Sequence, residues 1–392
     1  MIIAICVLLV LAYAFDVSSS KTKIPSVVLL LGLGWTVKQI AQFIEIPIPD
    51  LTPILPILGT VGLILIVLEG SLELELNKSK FILVGKTSVM ALLPMLILSF
   101  SLGYALYYFG DIDFKIGLGN AIPLAIVSSA IAIPSVQNLS PFKREFVTYE
   151  SSLSDIFGVI FFNFITLNAY IGSQSVGNFL LQLFIILIIT AVSTLSLAFL
   201  LSKIKHSVKF VPIILMIVLI YAVSKEYHLP ALIFILLFGL FLGNLDEIKQ
   251  TTFIEKLQPE ILKKEVHKFK ELTGEIAFLI RSLFFLLFGY LIETAELLNT
   301  ETIIWAIGIT SGIFLLRLIF LLILKIQVMP ILFIAPRGLI TILLFLTIPV
   351  SQTTELVNKS LIIQVIILTA LAVMFGLIFA KNEQVKPKKK ED

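Results

Sequence analysis

The sequence has a single cysteine, Cys6, and three histidines, His206, His228 and His267, spread over 392 residues. One thiol cannot form an internal disulfide, and scattered imidazoles cannot build a zinc cluster, so redox and zinc chemistry are set aside. Charge is scarce as well. Charged residues make up 14% of the chain, against ~25% for ordinary soluble domains. With hydrophobic residues at 58%, a water-soluble globule is excluded. The net charge of +3 does not point to nucleic acid, because the basic residues gather in short breaks between apolar runs, where orientation in a bilayer accounts for them.

Long apolar runs fill the rest. Read against the charged and Pro/Gly-rich breaks, they give an all-α polytopic membrane protein of about thirteen spans, each of the ~20 residues that a bilayer core requires. The first run, residues 2–15, lacks the basic start and cleavage site of a secretory signal and reads as a retained helix. The breaks alternate in charge. KTK (21–23), NKSK (77–80), FKR (142–144), SKIKHSVK (202–209), the long break after Gly243, Lys325 and the KPKKK tail hold most of the 29 basic residues and face the cytoplasm. EIPIPD (45–50), GDID (110–113), GSQSVGN (172–178) and ETAELLNTE (293–301) are neutral or acidic and face outward. The expected setting is the inner (plasma) membrane, N-terminus outside and C-terminus cytoplasmic.

Two spans carry interior helix breakers, SSAIAIPSV (128–136) and MPILFIAPRG (329–338). They are the fifth and the twelfth spans, and an odd offset of seven makes them enter the membrane from opposite sides. The chain then divides into a first inverted repeat (1–172), a linking span (173–206) and a second repeat (207–380), with crossed discontinuous helices and a basic tail (381–392). Paired interrupted helices that present backbone ends to ions at the midplane are the architecture of a secondary transporter. The largest break, residues 244–274, spaces Ile, Leu, Val and Phe among Glu and Lys. It reads either as an amphipathic interfacial linker or as a solvated charged helix.

A charge inside a span is costly and marks an ion path by default. Counted at about 1.5 Å per residue from the nearest cytoplasmic break, Asp155, Glu69, Arg281, Arg317 and Arg337 all fall roughly 10–15 Å deep, in the layer of the two breaks. Glu150 falls shallower, at roughly 6 Å, where it can line a funnel. Asp155 is the leading candidate for the ion site: proton and metal cation become competing ligands for one buried carboxylate, and that competition suffices to couple exchange. Arginine does not deprotonate, so Arg317 is expected to be structural, and Arg337, next to Pro336, to neutralise carbonyl ends of the broken spans. Lys86 reads as snorkelling to the inner surface. Ser128, Ser129, Ser151 and Ser154 can supply neutral oxygens to an alkali cation, or bond to neighbouring helices.

These residues resemble the monovalent cation/proton antiporter superfamily, which includes sodium/proton exchangers and potassium-efflux systems. The likeness rests on ESSLSDIFGVIFFN (150–163), GLILIVLEGSLELEL (62–76), LIRSLFFLLFGYLI (279–292) and APRGLITILL (335–344), in that family's order along nearly the whole chain. It implies that Asp155 binds Na⁺ or K⁺ and the proton, with Glu150 and Ser151 contributing to the cation site. It also implies that Glu69 and Arg317 form a charged pair steadying the residue before Asp155, and that the protein is a homodimer whose core bundle, spans 4 to 6 and 11 to 13, moves against an interface bundle. Two departures stand out. Ser154 occupies the place where exchangers have Asn or a second Asp, which implies one-for-one electroneutral exchange, and the Thr-Asp-Pro of the fifth span is missing. Sodium against potassium stays open. No cofactor is expected; the partners are the transported cation, the proton and the bilayer. A non-transporting ion sensor on the same scaffold, and an intramembrane aspartyl enzyme using Asp155 with Glu69 or Glu150, are the other classes compatible with the residues.

Overall fold

The computed structural model describes residues 2–45, 50–74, 80–168, 172–204, 206, 208–245 and 259–379. All regular elements among them are helical. The tail 381–392, residues 75–79 and residues 246–258 of the expected linker lie outside the described residues.

The helices follow the apolar runs. They are α1 Ile2–Thr22, α2 Ser26–Phe43, α3 Ile54–Glu73, α4 Phe81–Gly110, α5 Phe114–Ala125, α6 Ser129–Ser135, α7 Pro141–Leu167, α8 Ser173–Lys203, α9 Phe210–Glu226, α10 Leu232–Gly243, α11 Pro259–Leu291, α12 Thr294–Leu297, α13 Thr300–Ile323, α14 Leu339–Thr347 and α15 Lys359–Phe379. Among the described residues nine helical segments are long and apolar enough to cross a membrane. Outward faces are apolar too: Leu180, Leu181 and Phe184 of α8 are exposed, as expected of a surface solvated by lipid rather than water.

Packing separates two groups of helices. In one, α2 and α3 lie along α11, and α10 lies on α3. The α2–α11 contact is backbone to backbone: a Cβ at Gly34 would overlap the Leu286 carbonyl oxygen and stand 2.7 Å from the Tyr290 nitrogen, and one at Gly289 would stand 2.8 Å from Leu31 Cα. In the other group, α4 packs on α5, α7 and α13, and α13 packs on α15. The two broken segments lie between α3 and α7, since α6 and α14 touch both.

The breaks are not quite where proline alone would put them. The break in the fifth span was expected within residues 128–136, yet the proline there, Pro134, lies inside α6; the chain leaves helix earlier, at residues 126–128. The reason is tertiary. The Val127 amide finds the Ser154 hydroxyl oxygen at 3.0 Å, and the Ser128 amide donates to the Pro336 carbonyl at 2.8 Å, so backbone groups freed from one helix are satisfied by its neighbours, as a dry interior demands. The second break runs through a 3-10 turn at Ile331–Phe333 and non-helical residues 334–338 before α14.

The expected linker is also revised over its second half. Residues from Pro259 onward do not form a separate interfacial helix but continue without interruption into the tenth span as α11. Leu262, Val266 and Phe269 on its inner stripe are buried, with Phe269 against the Phe210 ring at 6.1 Å and Glu265 paired with Lys209 at 2.8 Å. Its apolar stripe therefore packs on protein.

Candidate functional site

Helix α7 carries Glu150, Ser151, Ser154 and Asp155. Residues three and four apart share a helix face, so these four crowd one side, and all are buried. Asp155 is 2% exposed. Its Oδ2 accepts from the Ser129 hydroxyl and from the Ser129 backbone N–H at 3.3 Å. Its Oδ1 is buried and has no hydrogen-bond partner. Ser128 Oγ, in the adjoining break, is likewise buried and without a partner. Buried polar atoms are satisfied in the great majority of cases, so these two open oxygens on neighbouring elements make Asp155 and Ser128 candidate ligands. Ser151 contributes less: its hydroxyl donates to the Thr148 carbonyl of its own helix at 3.4 Å.

The charges sort differently from expectation. Arg317 of α13 grips both carboxylate oxygens of Glu150, at 2.8 Å for one of them, and donates through Nε to the Ile331 carbonyl at 2.9 Å. The expected partner, Glu69, is elsewhere. It sits on α3 towards α11, where a Cβ at Gly274 would be 3.4 Å from its Oε1, amid the charges of Arg281, Glu73, Asp16 and Lys270. Glu150 therefore does not line a funnel; it is 1% exposed and locked in a bidentate pair. Planar guanidinium matched to planar carboxylate is the strong form of such a contact. Counting along the backbone missed it because Arg317 lies 167 residues away, on another helix.

Arg337 binds backbone. Its Nε donates to Leu124 O at 2.9 Å, Nη1 to Ala335 O at 2.7 Å and Nη2 to Ala125 O at 3.0 Å. The guanidinium thus collects carbonyls at the C-terminal end of α5 and in the second break, where the helix dipole is negative. Its own amide donates to Thr369 Oγ1 at 3.0 Å, a partner on α15 that no pattern in the sequence indicated. Lys86, half-buried, caps α13, donating to Leu324 O at 2.9 Å. As for Asp155, its hydrogen-bond partners are both on Ser129; neither Arg281 nor Arg317 donates to it. Beside the site, a cavity of about 20 Å³ is lined by Met90, Val127, Ser154, Arg317 and Arg337, space for a single water.

The Glu150 charge is matched by Arg317 and Arg337 is matched by carbonyl ends, whereas the donors that Asp155 has are the neutral groups of Ser129. Among the described residues no cluster of three His, Cys, Asp or Glu side chains can hold a resident metal.

Comparison with known proteins follows the same direction. No match is found among curated proteins. Among solved structures, that of the sodium proton antiporter MjNhaP1 from Methanocaldococcus jannaschii at pH 8 is similar in fold, with a TM-score of 0.61 and 20% identity over 96% of this chain and 95% of that one. The 3D electron-microscopy map of the same antiporter gives a TM-score of 0.67 and 20% identity over 97% and 95%. The sequence model of the transmembrane sodium/hydrogen exchangers matches residues 5–381. This integral membrane protein, whose family and fold are those of a transporter and not of an enzyme, belongs to the sodium/hydrogen exchanger family.

Proposed function

We propose that the chain exchanges a monovalent cation, Na⁺ or K⁺, for protons by alternating access, with Asp155 carrying either one but not both. The observation that carries this reading is the unpartnered, buried Oδ1 of Asp155 beside two helix breaks. A proton satisfies that oxygen by forming a neutral acid. An alkali ion satisfies it by charge, with Ser128 Oγ and the Ser154 hydroxyl as neutral oxygens within the adjoining elements. An empty, ionised carboxylate in this dry setting is costly, so one ligand leaves only as the other arrives, and that is the coupling.

With Glu150 and Arg317 cancelling each other, each cycle moves one charge in each direction and is electroneutral. Glu150 stands outside the cation's first contacts, because both of its carboxylate oxygens are held by Arg317. The moving body is the bundle of α4 to α7 and α13 to α15, sliding against α2, α3 and α8 to α11, in a homodimer with its N-terminus outside. The similar fold of a protein described as a sodium proton antiporter favours Na⁺ as the first cation to test.

The test is reconstitution in liposomes with an imposed proton gradient and a pH-sensitive dye. Addition of Na⁺ or K⁺ is expected to dissipate the gradient, equally with and without a potassium/valinomycin voltage clamp. Failure of Na⁺, K⁺ and Li⁺ alike would sink the reading; cation binding without flux would replace it with the sensor.

A further inference from the structure

The far end of α11, on the face assigned to the outside, gathers two lysines from different helices. Lys38 of α2 donates to the Ile292 carbonyl at 3.2 Å and pairs with Glu293. Lys359, the first residue of α15, donates to the Leu291 carbonyl at 2.8 Å and pairs with Glu296 at 3.1 Å. Both answer the negative end of a helix dipole, but they come from different bodies. Lys38 belongs to α2, fixed to α11 through the glycine contact at Gly34 and Gly289. Lys359 belongs to α15, which packs on α13 and on the 3-10 turn that Arg317 holds.

The joint between α11 and α13 is divided in the same way. Trp35 of α2 donates to Thr294 Oγ1 at 3.2 Å at its near end. Gln364 of α15 donates to Leu297 O at 3.3 Å and to Asn299 O at 2.9 Å at its far end. Between them, Glu296 closes a capping box with the Glu293 amide at 2.9 Å, so the joint is a short stiff turn and Lys359 reaches back across it. Exposure separates the two lysines: the Lys38 side chain is 10% exposed and that of Lys359 is 38%. One is built in; the other can let go.

We propose that Lys359 is a positioning residue of the exchange cycle, a latch that joins the two bodies at the outer face by binding the C-terminal carbonyl of α11 and Glu296, and that must release for the site to open outward. This rests on the alternating-access reading above. Lys359 never touches the ion; it sets how much of the protein is open to each side. Loss of a half-exposed ion pair shifts such a balance by roughly two- to fivefold, and apparent affinity follows the fraction of protein that is competent to bind.

The experiment measures Na⁺-driven proton exchange in right-side-out and in everted membrane vesicles. For Lys359→Met the KM for Na⁺ is expected to fall about two- to fivefold in right-side-out vesicles, without a fall in everted ones. Glu296→Gln, which cuts the same pair with an isosteric side chain and guards against misfolding of the lysine variant, should shift it the same way, and Lys359→Arg, which keeps the charge and the donor, should stay close to wild type. Unchanged KM on both faces, an equal change on both, a fall confined to everted vesicles, or loss of kcat alone would overturn the latch. Wild-type protein that exchanges no cation in either vesicle would instead defeat the antiport reading itself.

Discussion

Replacing Glu150 with glutamine takes one charge out of a pair whose side chains are 1% and 4% exposed. Removing one member of a buried ion pair strands the other, at a cost of roughly 3–5 kcal/mol. Arg317→Met should cost as much, and it also removes one of the two donors to the Ile331 carbonyl, leaving the Ile334 amide at 3.1 Å, a further ~0.5–1.5 kcal/mol. The double variant E150Q/R317M differs in kind. Nothing charged is left to desolvate, and replacing a buried pair with neutral groups of similar volume is often close to neutral. Its total loss should therefore fall several kcal/mol short of the sum of the single losses, a coupling that a double-mutant cycle measures directly. The assay is reversible unfolding of purified protein in mixed micelles of increasing denaturing detergent, followed by circular dichroism, for wild type, both single variants and the double. Single losses below ~1 kcal/mol, or a double loss equal to the sum, would show that the pair is solvated or that Glu69 is Arg317's partner after all, and the account of the site's charge balance would fail.

Other outcomes follow from the same geometry. Asp155→Asn removes the exchangeable charge but keeps an amide oxygen for Ser129, so purified protein should melt within a few degrees of wild type while cation-driven proton flux disappears; flux at wild-type rates would remove Asp155 from the mechanism. Competition for one carboxylate predicts that the apparent KM for Na⁺ rises as pH falls, by up to about tenfold per unit on the acid side; a KM that stays flat with pH would mean separate proton and cation sites. Gly34→Ala sets a methyl against the Leu286 carbonyl, a backbone atom that cannot swing away, and should cost ~1–3 kcal/mol as overpacking does; a stability equal to wild type would show that α2 and α11 are not in backbone contact.

How far the site could be read in the sequence depends on the range of the interactions that make it. Asp155 stood out because an acid inside an apolar run is anomalous in one dimension, and Ser154 and Ser129 stood out as hydroxyls near a helix breaker. Arg337 was placed among carbonyl ends from Pro336 beside it, a local clue, and its donors do meet Leu124, Ala125 and Ala335. Glu150 was assigned to the cation and Glu69 to Arg317. Both assignments turn on which of two carboxylates an arginine 167 residues from Glu150 can reach, and spacing along the chain holds no information on that. Pro134 misled for a related reason: proline weakens a helix, but the place at which a helix opens is where other elements can take up its backbone groups, here Ser154 and Pro336.

Composition and periodicity by themselves determined a helical bundle in a bilayer, because lipid offers backbone amides no partner and leaves helices as the form open to long apolar runs. They also singled out an acid inside a span as the candidate active group, since transfer into lipid is expensive enough to keep charges out wherever no use is made of them. Tertiary structure alone decided which charges cancel, where the two broken segments exchange hydrogen bonds, and which lysine bridges the seam at the far end of α11. Those are contacts between side chains tens to hundreds of residues apart, fixed by how the helices pack and not by any property of the residues themselves.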